Sequence, residues 1–216
     1  MTALGERPFA ATATRHGEPV VKRRRRSREV AQAEILGAAE EILRERPFRD
    51  LNVEDVMART SLSRSSFYVY FRDRHDLLLR LTEELGDEIY AAAERWFAGD
   101  SEPQIALADG LAAVVGVYGR HGRVLRAISD AAATDTEAER VYLGLVGRFV
   151  DANTVNFTEQ TEAGLLSGLH PRETASALTW MTERYLSQAF GGPEPLVPEY
   201  EAARTLQQVW LRTLYP

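Results

Sequence analysis

The 216-residue chain contains no cysteine, so disulfides, thiolate nucleophiles and zinc–thiolate sites are excluded. It has no apolar run long enough to span a bilayer. Its first residues scatter charges and prolines where a secretory signal would carry an apolar stretch. These absences predict a cytoplasmic protein with no membrane partner. The histidines, His16, His75, His121 and His170, show no Glu-x-x-His or His-x-x-x-His spacing. A metal site would need such convergence on a helix. Glycine-rich phosphate loops, a G-x-S-x-G elbow and regularly spaced short strands are missing too. The expectation is no metal, no cofactor and no enzyme.

What is present is charge, unevenly placed. The net charge of −6 divides into a basic beginning and an acidic remainder. Residues 1–80 hold 16 Lys+Arg against 12 Asp+Glu, and the rest holds 10 against 20. A basic end on an acidic body suits a protein that meets a polyanion end-on. The apolar fraction of 44% is ordinary for a globular core.

Three segments follow from the pattern. Residues 1–27 lack apolar periodicity and end in Lys22, Arg23, Arg24, Arg25 and Arg26, which reads as a disordered basic arm reaching phosphates or a minor groove. Residues 28–76 read as a helix-turn-helix domain, and 77–216 as a larger helical body. Ile35, Leu36, Ala39, Ile42 and Leu43 recur at helical steps in a first helix from Ser27 to Arg46, stopped by Pro47. Asn52 caps a short second helix with acids in its first turn. Ser63 opens a third after a tight turn, completing the motif.

That third helix carries the stretch SLSRSSFYVYF, Ser61 to Phe71. Phe67 and Phe71 lie one turn apart and share a face that can be buried. The N-terminal residues of such a helix meet base edges in the major groove, which places Arg64 and Ser65 nearest the bases. Arginine donates two hydrogen bonds to guanine, and Val69 can touch a thymine methyl. Ser66, Tyr68 and Tyr70 suit phosphates, as does Arg74 in the next helix. With the arm, Asn52 and Ser63, these residues make the expected DNA-contacting set.

The run LNVEDVMARTSLSRSSFYVYFRDRHDL, Leu51 to Leu77, resembles the DNA-binding motif of the TetR family. It departs at Ser61, where the family usually has glycine, so the resemblance implies a slightly strained or reshaped turn. His75 and Asp76 stand where Lys-Glu is usual.

Beyond the motif the pattern stays helical. A fourth helix of roughly 25 residues runs to Gly99, and a fifth from Pro103 to Gly119. A short sixth covers Val124 to Ala133, and a seventh begins at Thr134 to Glu137. After a break from Gly164 to Pro171 come an eighth to Phe190 and a ninth from Pro198 to Leu214. The last two carry apolar residues on more than one side, Trp180, Met181 and Tyr185, then Val209, Trp210 and Leu211. A helix with two apolar faces packs against two neighbours, and the second is expected to be another copy of the chain.

In the body, Leu178-x-x-Met181-x-Glu183-Arg184 and Val209-Trp210 are similar to the ethionamide-resistance-regulator branch of the same family. That resemblance implies an apolar tunnel for a small ligand. From the fifth helix Leu107, Gly110, Val114 and Tyr118 would line it. From the seventh come Tyr142, Val146, Phe149 and Asn153, with Thr179, Thr182 and Trp210 from the last two. Glu183-Arg184 reads as an ion pair or dimer contact.

The expectation is an all-α homodimeric transcriptional regulator, a repressor, binding double-stranded operator DNA and released by a small hydrophobic ligand. The alternatives are a non-specific architectural DNA binder and an all-helical enzyme.

Overall fold

The computed structural model describes the backbone of residues 20–98 and 102–216, with side chains from Arg28 onward. Among the described residues every regular element is helical. α1 spans Val20–Glu45 and a single 3-10 turn Phe48–Asp50, followed by α2 (Val53–Ala58) and α3 (Arg64–Tyr70). α4 spans Arg74–Ala92, α5 Glu94–Ala98, α6 Pro103–Ala132, α7 Thr136–Glu162, α8 Pro171–Phe190 and α9 Glu199–Leu214.

α1 starts at Val20, so Ser27 lies within it and does not cap it. The backbone of Lys22–Arg26 is helical, where the sequence pattern suggested an unstructured arm. Lysine and arginine are good helix formers, and a helix anchored downstream extends at low cost. The arm's first nineteen residues lie outside the described residues. Further along, α1 buries Ile35, Leu36, Ala39, Ile42 and Leu43 as its periodicity predicts. They pack with Phe48, Leu51, Val56, Met57, Phe67 and Phe71 in one core.

α4 connects this head to the body and is capped by Asp73, whose carboxylate accepts from the backbone N–H groups of His75 (2.9 Å) and Asp76 (3.0 Å). α4 ends at Ala92, short of the expected Gly99. The break turns Trp96 of α5 onto α7, where its indole N–H donates to Asn153 Oδ1 at 2.9 Å. Its carbonyl accepts from Asn156 Nδ2 at 2.8 Å.

The two helices expected between Pro103 and Ala133 are one helix of 30 residues, about 45 Å long. Gly119 and Gly122 are notches for neighbouring elements, and the helix passes through them unbroken. A Cβ at position 122 would stand 2.6 Å from the Phe190 carbonyl oxygen, and one at 119 would collide with the Glu199 carboxylate. His121, between them, is no loop residue. Its Nδ1 lies 2.6 Å from Glu40 of α1 and its Nε2 3.4 Å from Glu88 of α4. A second tie between head and body joins His75 Nε2 to Asp135 Oδ2 at 2.7 Å. Asp135 also caps α7 through the N–H groups of Glu137 and Ala138. α7 ends in a left-handed glycine, Gly164 (φ 76°), with the Leu165 N–H returning to the Gln160 carbonyl.

The α4 cap yields a prediction. The N–H of Asp76 chiefly, and that of His75, hold the Asp73 carboxyl below the usual carboxylate range. A depressed folded-state pKa means stability that is present at neutral pH and lost as pH falls through that range. Asp73→Ala should lower unfolding free energy by about 1 kcal/mol at neutral pH. In urea titrations the gap between variant and parent should close on acidification.

Candidate DNA interface and apolar cavity

α3 is seven residues long and amphipathic. Phe67 and Phe71 are buried with ring centroids 5.4 Å apart. Arg64, Ser65, Tyr68 and Val69 are exposed on the opposite side, with Val69 62% exposed. An exposed valine beside an exposed arginine on one short helix gives both contact types that base edges offer, a double donor and a methyl partner. Ser63 precedes the helix without a side-chain capping bond; its hydroxyl bonds those of Ser65 and Ser66, each at 2.9 Å. Tyr70 is half-buried beneath the guanidinium of Arg28, which lies 6.0 Å over its ring.

Two expected DNA contacts have local partners. Asn52 caps α2 by accepting from the Asp55 N–H at 2.9 Å and donates to the Asp55 carboxylate at 3.0 Å. Arg74 is half-buried, donating to the Arg49 carbonyl at 3.1 Å and stacking 5.1 Å over Phe48. It braces the 3-10 turn while part of its side chain stays exposed. The side chains of Lys22–Arg26 lie outside the described residues. Ser61 has no left-handed φ, so the expected strain is absent. Its N–H donates to Glu34 of α1, which with the Ser61 side chain lowers the Glu34 pKa.

In the body, α4 to α9 line a cavity of about 90 Å³. All the tunnel residues anticipated from the sequence lie in its wall: Leu107, Gly110, Val114 and Tyr118 on α6, Tyr142, Val146, Phe149 and Asn153 on α7, Thr179 and Thr182 on α8, and Trp210 on α9. The sequence missed Ile89, Ala93, Trp96 and Phe97 around the α4–α5 break, Leu111, Leu125 and Ile128 on α6, Leu145, and Glu183. The apolar ones carry no mark that separates a cavity wall from a filled core. Trp210 is buried inside the protomer, its N–H donating to Thr182 Oγ1 at 2.9 Å, and is no part of an open face. Burial pushes the Tyr142 phenol up to about 12 and that of Tyr118 higher still.

The wall's polar groups are mostly paired with one another. Trp96 donates to Asn153, and Asn153 Nδ2 donates to Thr179 Oγ1 at 3.2 Å. Outside the wall, Gln160 donates to Asn156 and accepts from Tyr215, so a polar line runs along α7. Among the described residues no group of three His, Asp or Glu side chains could hold a metal ion. No described helix is long and apolar enough to cross a membrane.

The helix-turn-helix matches the description "Bacterial regulatory proteins, tetR family" over residues 35–81. The body matches "Transcriptional regulator EthR, C-terminal domain" over residues 107–216, half of the chain. The chain belongs to the TetR family. Its members are DNA-binding transcriptional regulators and not enzymes. Relatives include the HTH-type regulator EthR of Mycobacterium tuberculosis, 28% identical over 84% of this chain and 85% of the relative. EthR of Mycolicibacterium smegmatis is 27% identical over 85% and 86%. A TetR-family regulator from Syntrophomonas wolfei shares the fold at a TM-score of 0.73 and 14% identity, covering 86% of this chain and 93% of its own. AibR, solved with isovaleryl coenzyme A and operator DNA, does so at 0.64 and 14%, covering 82% and 96%.

In this TetR-family body the Trp96–Asn153–Thr179 chain fixes the α5–α7–α8 junction. Asn153→Leu would leave the Trp96 indole N–H buried without its acceptor. Urea unfolding should show a loss of about 1–3 kcal/mol. An unchanged midpoint would mean the junction is held by packing alone.

Proposed function

We propose that the protein is a ligand-responsive repressor that binds a pseudo-palindromic operator as a homodimer and is released by a small, largely apolar ligand. The head, residues 28–76, contacts DNA; the body, 77–216, binds the ligand and the second protomer; the protein works in the cytoplasm. One observation carries this reading. α4 begins three residues after the recognition helix α3 ends, and its last turn, at Ile89, forms part of the cavity wall. A ligand that moves the wall therefore moves the element on which the recognition helix is mounted.

The cavity's size supports the same reading. At about 90 Å³ it is smaller than the roughly 150 Å³ apolar cavity that admits benzene. A ligand larger than this void must part the helices, so it binds a second arrangement better than the present one. Differential affinity of that kind is what shifts a two-state element. AibR, with an acyl coenzyme A and operator DNA in one structure, supports two such sites on this fold.

For the dimer, α8 leaves Trp180, Met181 and Tyr185 half-exposed, and α9 leaves Tyr200 and Val209 exposed. Paired across a two-fold axis, these faces would set two recognition helices roughly 34–36 Å apart, or a related spacing, on successive major grooves. Met181→Glu combined with Val209→Glu should give monomers by light scattering. A persistent dimer would move the interface elsewhere.

Footprinting on the intergenic DNA beside the protein's own gene tests the repressor reading. A protected pseudo-palindrome is expected, and equal protection of random DNA would mean an architectural binder. Arg64→Ala should lose about 1–3 kcal/mol on that site and relax its specificity. Replacing Lys22–Arg26 by glutamine should weaken all DNA binding and flatten its salt dependence.

A further inference from the structure

Most polar groups of the cavity wall have partners within the wall. Trp96, Asn153 and Thr179 form one hydrogen-bonded chain, and Trp210 donates to Thr182. Two fully buried side-chain atoms of the wall stand outside this pairing. Glu183 is only 8% exposed; its Oε1 accepts from the Ser187 hydroxyl at 2.7 Å, and its Oε2 has no hydrogen-bond partner. The Tyr142 hydroxyl, equally buried, makes no well-formed hydrogen bond either, although the Ser129 hydroxyl and the Glu183 carboxylate lie beside it. Both residues line the cavity. The Glu183 carboxylate lies near enough to act on the phenols of both Tyr142 and Tyr118. The nearest cation is Arg184, whose Nε lies 4.0 Å from Oε2, beyond hydrogen-bonding distance, on a side chain that is 57% exposed. At that distance Arg184 pairs with Glu183 electrostatically but gives Oε2 no hydrogen bond.

A buried carboxylate oxygen without a donor is costly, and the cost disappears when a ligand supplies one. The rest of the wall is aliphatic and aromatic and asks only for apolar bulk. We infer that the cavity takes a ligand with an elongated apolar body and a primary amine head, seated between Glu183 and Tyr142. This rests on reading the cavity as the effector site. An ammonium group has three donors and no acceptor, which matches a carboxylate oxygen and a phenolic lone pair better than an alcohol with one donor. It complements the charge of Glu183, and the rings of Tyr118 and Tyr142 add cation–π attraction. A carboxylate head would place like charges together in a water-poor site.

The test uses the full chain and three probes of equal length: decylamine, decanol and decanoate, each below its micellar concentration. Binding is read from the fluorescence of Trp96 and Trp210, both in the wall. Decylamine should bind at least about tenfold tighter than decanoate, the change expected for one hydrogen bond to a charged group. Glu183→Gln should remove that preference while leaving decanol affinity nearly unchanged. Decanoate binding as tightly as decylamine, or an amine preference that survives in Glu183→Gln, would overturn the inference and leave the effector cavity standing. No binding by any probe, uncharged decanol included, would overturn the effector cavity and this inference together. Should Glu183→Gln fail to melt cooperatively, Tyr142→Phe replaces it. That variant should weaken decylamine more than decanol, and an equal loss for both would count against the amine head.

Discussion

A seven-residue helix has no stability of its own in water, because nucleation is unfavourable and propagation too short to recover it. α3 exists because Phe67 and Phe71 are buried in the core that α1, α2 and α4 complete. Burying two phenylalanine side chains stabilises by roughly 3–6 kcal/mol against leaving them in water, enough to fix one short turn of helix. The exposed face is then free to carry residues that contribute nothing to folding. Arg64, Ser65, Tyr68 and Val69 are held in place by partners on the other side of the same helix.

The same anchor ties DNA reading to the body. Two residues separate α3 from the Asp73 cap, so α3 cannot turn without α4. α4 is gripped in turn by the Glu40–His121–Glu88 cluster and, at its start, by the His75–Asp135 bond. Each polar link joins an element of the head or connecting helix to α6 or the cap of α7. On the proposed reading, a shift of the cavity wall reaches the head through these discrete contacts.

Local periodicity made the head legible. Its second and third helices are short, Asn52 and Asp73 cap the starts of α2 and α4, and Pro47 stops α1. The resemblance to the TetR family rests on a contiguous aromatic run. The body was legible in element type but not in continuity. Gly119 and Gly122 look like a break in one dimension, and only the approach of Glu199 and the Phe190 backbone shows them to be notches. The cavity wall came from resemblance, since helical spacing cannot separate a residue that lines a void from one that fills it. Arg74 and Trp210 show the same limit. Their residue types suit phosphate and a dimer face, yet Arg74 braces Phe48 and Trp210 bonds Thr182 inside the protomer. Glu183, read from sequence as an ion pair or dimer contact with Arg184, does lie 4.0 Å from Arg184 and also lines the apolar wall.

On the proposed reading, the small cavity also bounds what a ligand must supply. Shifting a two-state element from one part in a hundred to ninety-nine takes about 5.5 kcal/mol of differential affinity. Each buried methylene contributes about 0.8 kcal/mol, so about seven are needed before any cost of parting the helices is met. A void of about 90 Å³ cannot hold that many without the walls moving. The polar head alone cannot substitute, because a single hydrogen bond contributes about 1 kcal/mol net, and up to roughly 3 when charged. On the proposed reading the work is divided: the apolar body of the ligand drives the opening, and the Glu183–Tyr142 end selects which apolar molecule does so.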